Sequence, residues 1–162
     1  MNLKKSQSGF VLLFTTLLVS VILAVTIGTA NIAYKEILFG TSAKDTNDAF
    51  FAADSGAECV LYHDRVNGEV FPAGGEGKGP IVCNAESIQI SEDVISTNLI
   101  QWTFRVPGLG GDGAGCASVS ITKDSDEREV VVVSKGYNRA SLINSYTCEG
   151  PVERELELTY DF

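Results

Sequence analysis

The chain has 162 residues, 44% of them hydrophobic and 20% charged, with a formal net charge of −9 and a single histidine. So acidic a surface is a poor match for a DNA backbone, and direct nucleic-acid binding is not expected. Four cysteines occur without a Cys-x-x-Cys spacing, so neither a structural metal site nor a bound cofactor is expected.

The first element is an apolar run. After Lys4 and Lys5 the next ionisable side chain is Lys35, so residues 10–34 are 25 uncharged positions. About 20 apolar residues cross a bilayer as a helix, whereas secretory signals have apolar regions of only about 7–15. The lysine pair favours a cytoplasmic N-terminus. The run is therefore expected to cross the cytoplasmic membrane once, with the rest of the chain outside. A competing reading takes Gly28-Thr29-Ala30 as a signal-peptidase site that frees a soluble domain starting at Asn31.

The helical pattern does not stop there. Ala43, Phe50, Ala53, Ala57 and Val60 recur at helical spacing. Gly40-Thr41-Ser42 is the weak point, where a bend or frayed turn is expected. Asn67-Gly68 is a suitable C-cap. A helix over residues 10–62 would be about 80 Å long. Its second half carries only one apolar stripe and must pack on something.

Residues 69–80 read as a loop. Strands follow with period-two alternation. In LIQWTFRV, Ile100, Trp102, Phe104 and Val106 share a face. After the glycine-rich PGLGGDGAG, Ala117, Val119 and Ile121 alternate with polar residues. EVVVVSKG is a more continuous β-branched run. In VERELELTYD, Val152, Leu156, Leu158 and Tyr160 alternate with Glu153, Glu155, Glu157 and Thr159. Such alternation marks an antiparallel sheet with one buried face, and the helix stripe is its simplest cover. The predicted fold is α+β: a long N-terminal helix, its first half in the membrane, packed on an antiparallel sheet. Its divisions are residues 1–9, 10–34 and 35–162.

Cys59, Cys83, Cys116 and Cys148 suit two disulfides in an exported domain. Cys116 and Cys148 each precede a strand, and a strand over 129–136 returns between them. That places both at one end of the sheet and predicts Cys116–Cys148, leaving Cys59–Cys83.

No catalytic constellation is evident, and an enzyme is not expected. GGEGKG departs from a phosphate-binding loop, because Pro72 occupies the first glycine position and Gly79 follows the lysine. Asp124, Asp126 and Glu127 read as a solvated turn before a calcium site. Glu153, Glu155 and Glu157 form one strand face that discourages edge pairing. His63 reads as a polar residue near the helix end.

The short basic leader ending in Ser8-Gly9-Phe10, followed by the apolar helix, resembles type IV pilins and pseudopilins. AFFAADSGAECVLY and VSKGYN with VERELELTY are similar to X-type minor pilins. The resemblance implies cleavage by a prepilin peptidase between Gly9 and Phe10, with methylation of the Phe10 amine. Removal of Lys4 and Lys5 would take the net charge from −9 to −11. It implies other pilins as partners through the N-terminal helix, and residence in the cytoplasmic membrane before an extracellular pilus. Two departures stand against a major-subunit role. The fifth mature position, often glutamate in the family, is Phe14, as in K-type pseudopilins, and the helix lacks the proline of many major pilins. Together they imply a minor subunit at the tip or in the initiation complex. The alternative is a single-span, membrane-anchored extracellular binding protein.

Overall fold

The computed structural model describes residues 8–66, 70–77, 79–111, 113–140, 147–148 and 150–161. Among them are one helix, α1 (Ser8–Arg65), and seven strands: β1 (Ile81–Cys83), β2 (Glu86–Ile88), β3 (Ser91–Val94), β4 (Leu99–Leu109), β5 (Gly115–Asp124), β6 (Glu129–Tyr137) and β7 (Glu153–Asp161). β3 to β7 form one five-stranded sheet in sequential order, and β1 and β2 form a small hairpin. All pairings are antiparallel. The fold is α+β, as expected. The chain divides into two compact units, Met1–Ser42 and Ala43–Phe162.

The helical backbone runs unbroken through residues 40–42, so no frayed turn interrupts it. Thr41 donates its hydroxyl to the Leu38 carbonyl there, which satisfies the polar group without opening the helix. Arg65 is the last helical residue. The Asn67-Gly68 cap lies outside the described residues.

The second unit is built on very close helix–sheet contact. The buried stripe of α1 is Ala49, Ala52, Ala53, Ala57 and Val60, all at most 2% exposed. Two members of the expected stripe do not join it. Ala43 is exposed, and Phe50 retains 44% exposure. The reason is steric: the helix axis lies too near the sheet for any side chain larger than alanine at its first contact. A Cβ at Gly56 would stand 2.6 Å from Ser134 Oγ and 2.8 Å from Ala117 Cβ. A Cβ at Gly136 would overlap the backbone of Ala49 and Ala53. Ser134, fully buried on β6, donates its hydroxyl to the Ala53 carbonyl at 2.7 Å.

The strand alternation places its apolar residues as expected on β4 and β5, where Ile100, Trp102, Phe104, Val106, Ala117, Val119 and Ile121 are buried. The β-branched run of β6 also alternates: Val130 and Val132 are buried while Val131 and Val133 are half-buried. β4 continues past Val106 through an irregularity at residues 107–108 and ends at Leu109. Residues 70–77 do more than connect. Phe71 is fully buried, with its ring 5.7 Å from Trp102 and 6.2 Å from Phe104. β7 differs from expectation. It is an edge strand, so its apolar row is covered from one side only; Leu158 stays 36% exposed and Leu156 and Tyr160 are half-buried.

One further clamp was not legible beforehand. Glu92 on β3 accepts the backbone N–H of Glu76 at 2.9 Å and of Gly77 at 2.7 Å, and the Trp102 indole N–H at 3.0 Å. It pins the 70–77 segment over the only tryptophan. These donors, the Gly77 amide foremost, hold the Glu92 carboxyl below its usual value of 4.5. A depressed folded value stabilises above the unfolded value and is lost as pH falls through the folded one. Glu92→Gln is therefore expected to cost about 1 kcal/mol at neutral pH, screened by solvent to the low end for charged hydrogen bonds. The difference from wild type should shrink as pH drops below 4.5. Urea midpoints read by Trp102 emission check it, and a difference independent of pH would remove the clamp.

Candidate functional site

The first candidate is the surface of α1 in the N-terminal unit. From Phe10 to Phe39 its large apolar side chains are exposed on every side of the helix, Phe10 at 77% and Phe14 at 51%. The helix is long and apolar enough to cross a membrane. Its polar side chains do not contradict this. Thr15, Thr16, Ser20, Thr26 and Thr29 each donate a hydroxyl to a carbonyl three or four residues earlier. Each hydroxyl so bonded needs no water. Thr15, Thr16, Val19, Ser20 and Leu23 line a shallow notch of about 330 Å³. Small and hydroxylated residues of this kind let a second helix approach closely. Gly9 and Phe10 are the second and third residues of the helix, and the rings of Phe10 and Phe14 stack at 6.5 Å. Lys4 and Lys5 lie outside the described residues.

The cysteines form two disulfides, Cys59–Cys83 and Cys116–Cys148, with Cα separations of 5.9 and 5.6 Å. The first ties α1 to β1. The second joins the start of β5 to the segment before β7. Closing loops of this length contributes about 2–4 kcal/mol each. His63, buried beside the first bridge, donates its Nε2 proton to the Val82 carbonyl at 3.1 Å. Ligand atoms of His63, Cys59 and Cys83 lie within 4.8 Å of one another. The disulfide consumes the thiolates that a metal ion would need.

The turn at Asp124 uses its own oxygens. Asp124 Oδ1 accepts the N–H of Asp126 at 2.8 Å and of Glu127 at 3.3 Å, and Asp126 accepts from Asn98. Glu153 and Glu155 both face Lys135 across the β6–β7 ladder, at 3.6 and 3.0 Å.

The most unusual cluster was not anticipated. Asp64, in the last turn of α1, meets Lys123 of β5 at 2.5 Å, with side-chain exposures of only 4% and 7%. Tyr160 of β7 donates its hydroxyl to the other Asp64 oxygen at 2.8 Å. Burial, and then this bond to Asp64, pushes the Tyr160 hydroxyl well above the usual phenol range. The Arg65 guanidinium lies 4.5 Å from the centre of the Tyr160 ring. A cleft of about 290 Å³ opens beside the cluster, lined also by Phe71, Pro72 and Ala73. The signal was present in the sequence. Asp64 follows Val60 by four residues, and Lys123 follows Val119 and Ile121 in phase. Both charges thus sit at the ends of buried stripes.

Compared with models of known families, with curated proteins and with solved structures, the chain matches none.

Proposed function

We propose that the chain is a minor structural subunit of a type IV pilus or a related pseudopilus, placed at the tip or in the initiation complex. One observation carries the reading. A single helix is apolar and exposed all round over its first half, and over its second half packs a stripe led by alanine and glycine against a sheet. That division suits a chain that waits in a membrane and then packs its helix against like helices, holding a folded domain outside. The two disulfides agree with an oxidising exterior.

N-terminal mass spectrometry of protein co-produced with a prepilin peptidase tests it. The mature chain is expected to start at Phe10 with a methylated amine. A start at Asn31 overturns the proposal in favour of a secreted domain. An uncut chain overturns it in favour of an anchored extracellular binding protein.

The tip assignment rests on Phe14. A carboxylate within a membrane costs roughly 2.5–3.5 kcal/mol at a helix centre. In a filament the amine of the neighbour above would offset that cost, and a subunit with nothing above it has no such partner. Phe14→Glu is expected to leave pilus number unchanged or lower. Clear gain of shaft labelling by immunogold would show that Phe14 alone kept the subunit out of the shaft.

A further inference from the structure

The Asp64–Lys123–Tyr160 cluster lies far in sequence from the residues that the filament reading uses. It also raises a physical difficulty. Two charges are taken from water at the end of the helix, and burying an ion pair is a weak source of stability, because desolvation offsets the attraction. The arrangement has the parts of a condensation site. An amine, a carboxyl group and a hydrogen-bond donor to that carboxyl meet in one buried place.

We propose that Lys123 and Asp64 condense to form an intramolecular amide that joins the end of α1 to β5. The proton balance is internal. Lys123 Nζ lies 2.5 Å from Asp64 Oδ1 and passes it a proton, giving a neutral amine and a neutral carboxylic acid. The amine lone pair attacks Cγ, and a C–N bond forms. The C–OH bond then breaks, and the hydroxyl leaves as water with a proton from the nitrogen. One amide and one water replace one amine and one acid, with no oxidant or reductant.

Tyr160 supplies the electrostatic help. Its hydroxyl donates to Oδ2 at 2.8 Å, the oxygen that carries negative charge in the tetrahedral intermediate. Because burial foremost raises its pKa, the hydroxyl stays protonated and able to donate. The adjoining cleft gives the leaving water a way out. The fold supplies the rest. Amine and acid are held in contact by elements 59 residues apart. Well-oriented intramolecular partners reach effective concentrations of about 10⁵–10⁸ M, enough to drive a condensation that free amine and acid do not undergo. The bond would also fill a gap in the covalent framework. Cys59–Cys83 ties the helix to the small hairpin, and neither disulfide ties it to the five-stranded sheet. The inference holds whether or not the chain enters a filament.

The full-length protein, purified in detergent, reduced and alkylated, tests it by intact mass. The expected mass is about 18 Da below that of the processed sequence. Trypsin should fail to cut after Lys123, and tandem mass spectrometry should find a branched peptide joining Asp64 to Lys123. Asp64→Asn, whose carboxamide cannot take the Lys123 proton, should show the full mass of its own sequence. Lys123→Arg should show the full mass. Tyr160→Phe, with Trp102 emission as in the wild type, should leave a larger unclosed fraction at equal age. Recovery of peptides cut at Lys123 from wild-type protein of full mass overturns the proposal and leaves an ion pair. So does a loss of about 18 Da confined to a linear peptide, as succinimide formation at Asp112-Gly113 would give.

Discussion

Gly136→Val is expected to prevent the second unit, Ala43–Phe162, from folding. Gly136 sits on β6 where α1 crosses it, and the atoms a Cβ would strike belong to the backbone of Ala49 and Ala53, not to a side chain that can rotate away. Overpacking against mobile side chains typically costs about 1–3 kcal/mol. Here the whole helix must lift. That would also break the Ser134–Ala53 hydrogen bond and part Gly56 from Ala117 and Val119. A cost above about 3 kcal/mol follows, a large share of the roughly 5–15 kcal/mol that holds a domain together. Trp102 is the probe: it is fully buried, and its emission should move to that of a solvated indole without denaturant. A native-like spectrum with an unchanged urea midpoint would show that the helix does not lie this close.

The second large effect is expected at Asp64. Asp64→Ala removes from a mostly buried site the carboxyl that Lys123 and Tyr160 both address, and with it any possibility of the proposed amide. Breaking a buried pair by deleting one member typically costs about 3–5 kcal/mol. Tyr160→Phe removes only one hydrogen bond from the same carboxyl and should cost about 1 kcal/mol. Urea midpoints of the two variants, measured in the same detergent, give the ranking. Equal losses would mean that the site is wetter than the 4% and 7% side-chain exposures imply.

The sheet was readable because β4 and β5 obey a strict two-residue period against a single buried face. Ile100, Trp102, Phe104 and Val106 had one possible side to turn to the core. The helix stripe was only half-readable. Hydrophobicity singles out Phe50, but proximity selects Ala49, Ala52 and Gly56, because the sheet admits nothing larger. β3 was missed for a different reason. SEDV is exposed throughout and has no apolar signal; it becomes a strand only because the edge of β4 offers it hydrogen bonds. Phe71 was hidden among glycines and prolines that mark a loop correctly but say nothing of what the loop covers. The buried cluster is not legible from residue type, because charged side chains are rarely fully buried. The phase of Asp64 and Lys123 with their apolar neighbours was the better guide.

The back-bonded hydroxyls of α1 have a consequence for movement. A transmembrane segment whose threonines relied on neighbouring chains would be tied to one set of surroundings. It would lose hydrogen bonds each time those surroundings changed. Thr15, Thr16, Ser20, Thr26 and Thr29 carry their acceptors with them, on the same helix. A helix so equipped can exchange one apolar environment for another without any of these five hydroxyls changing partners. For those five side chains such an exchange turns on shape and dispersion, not on hydrogen bonds broken and remade.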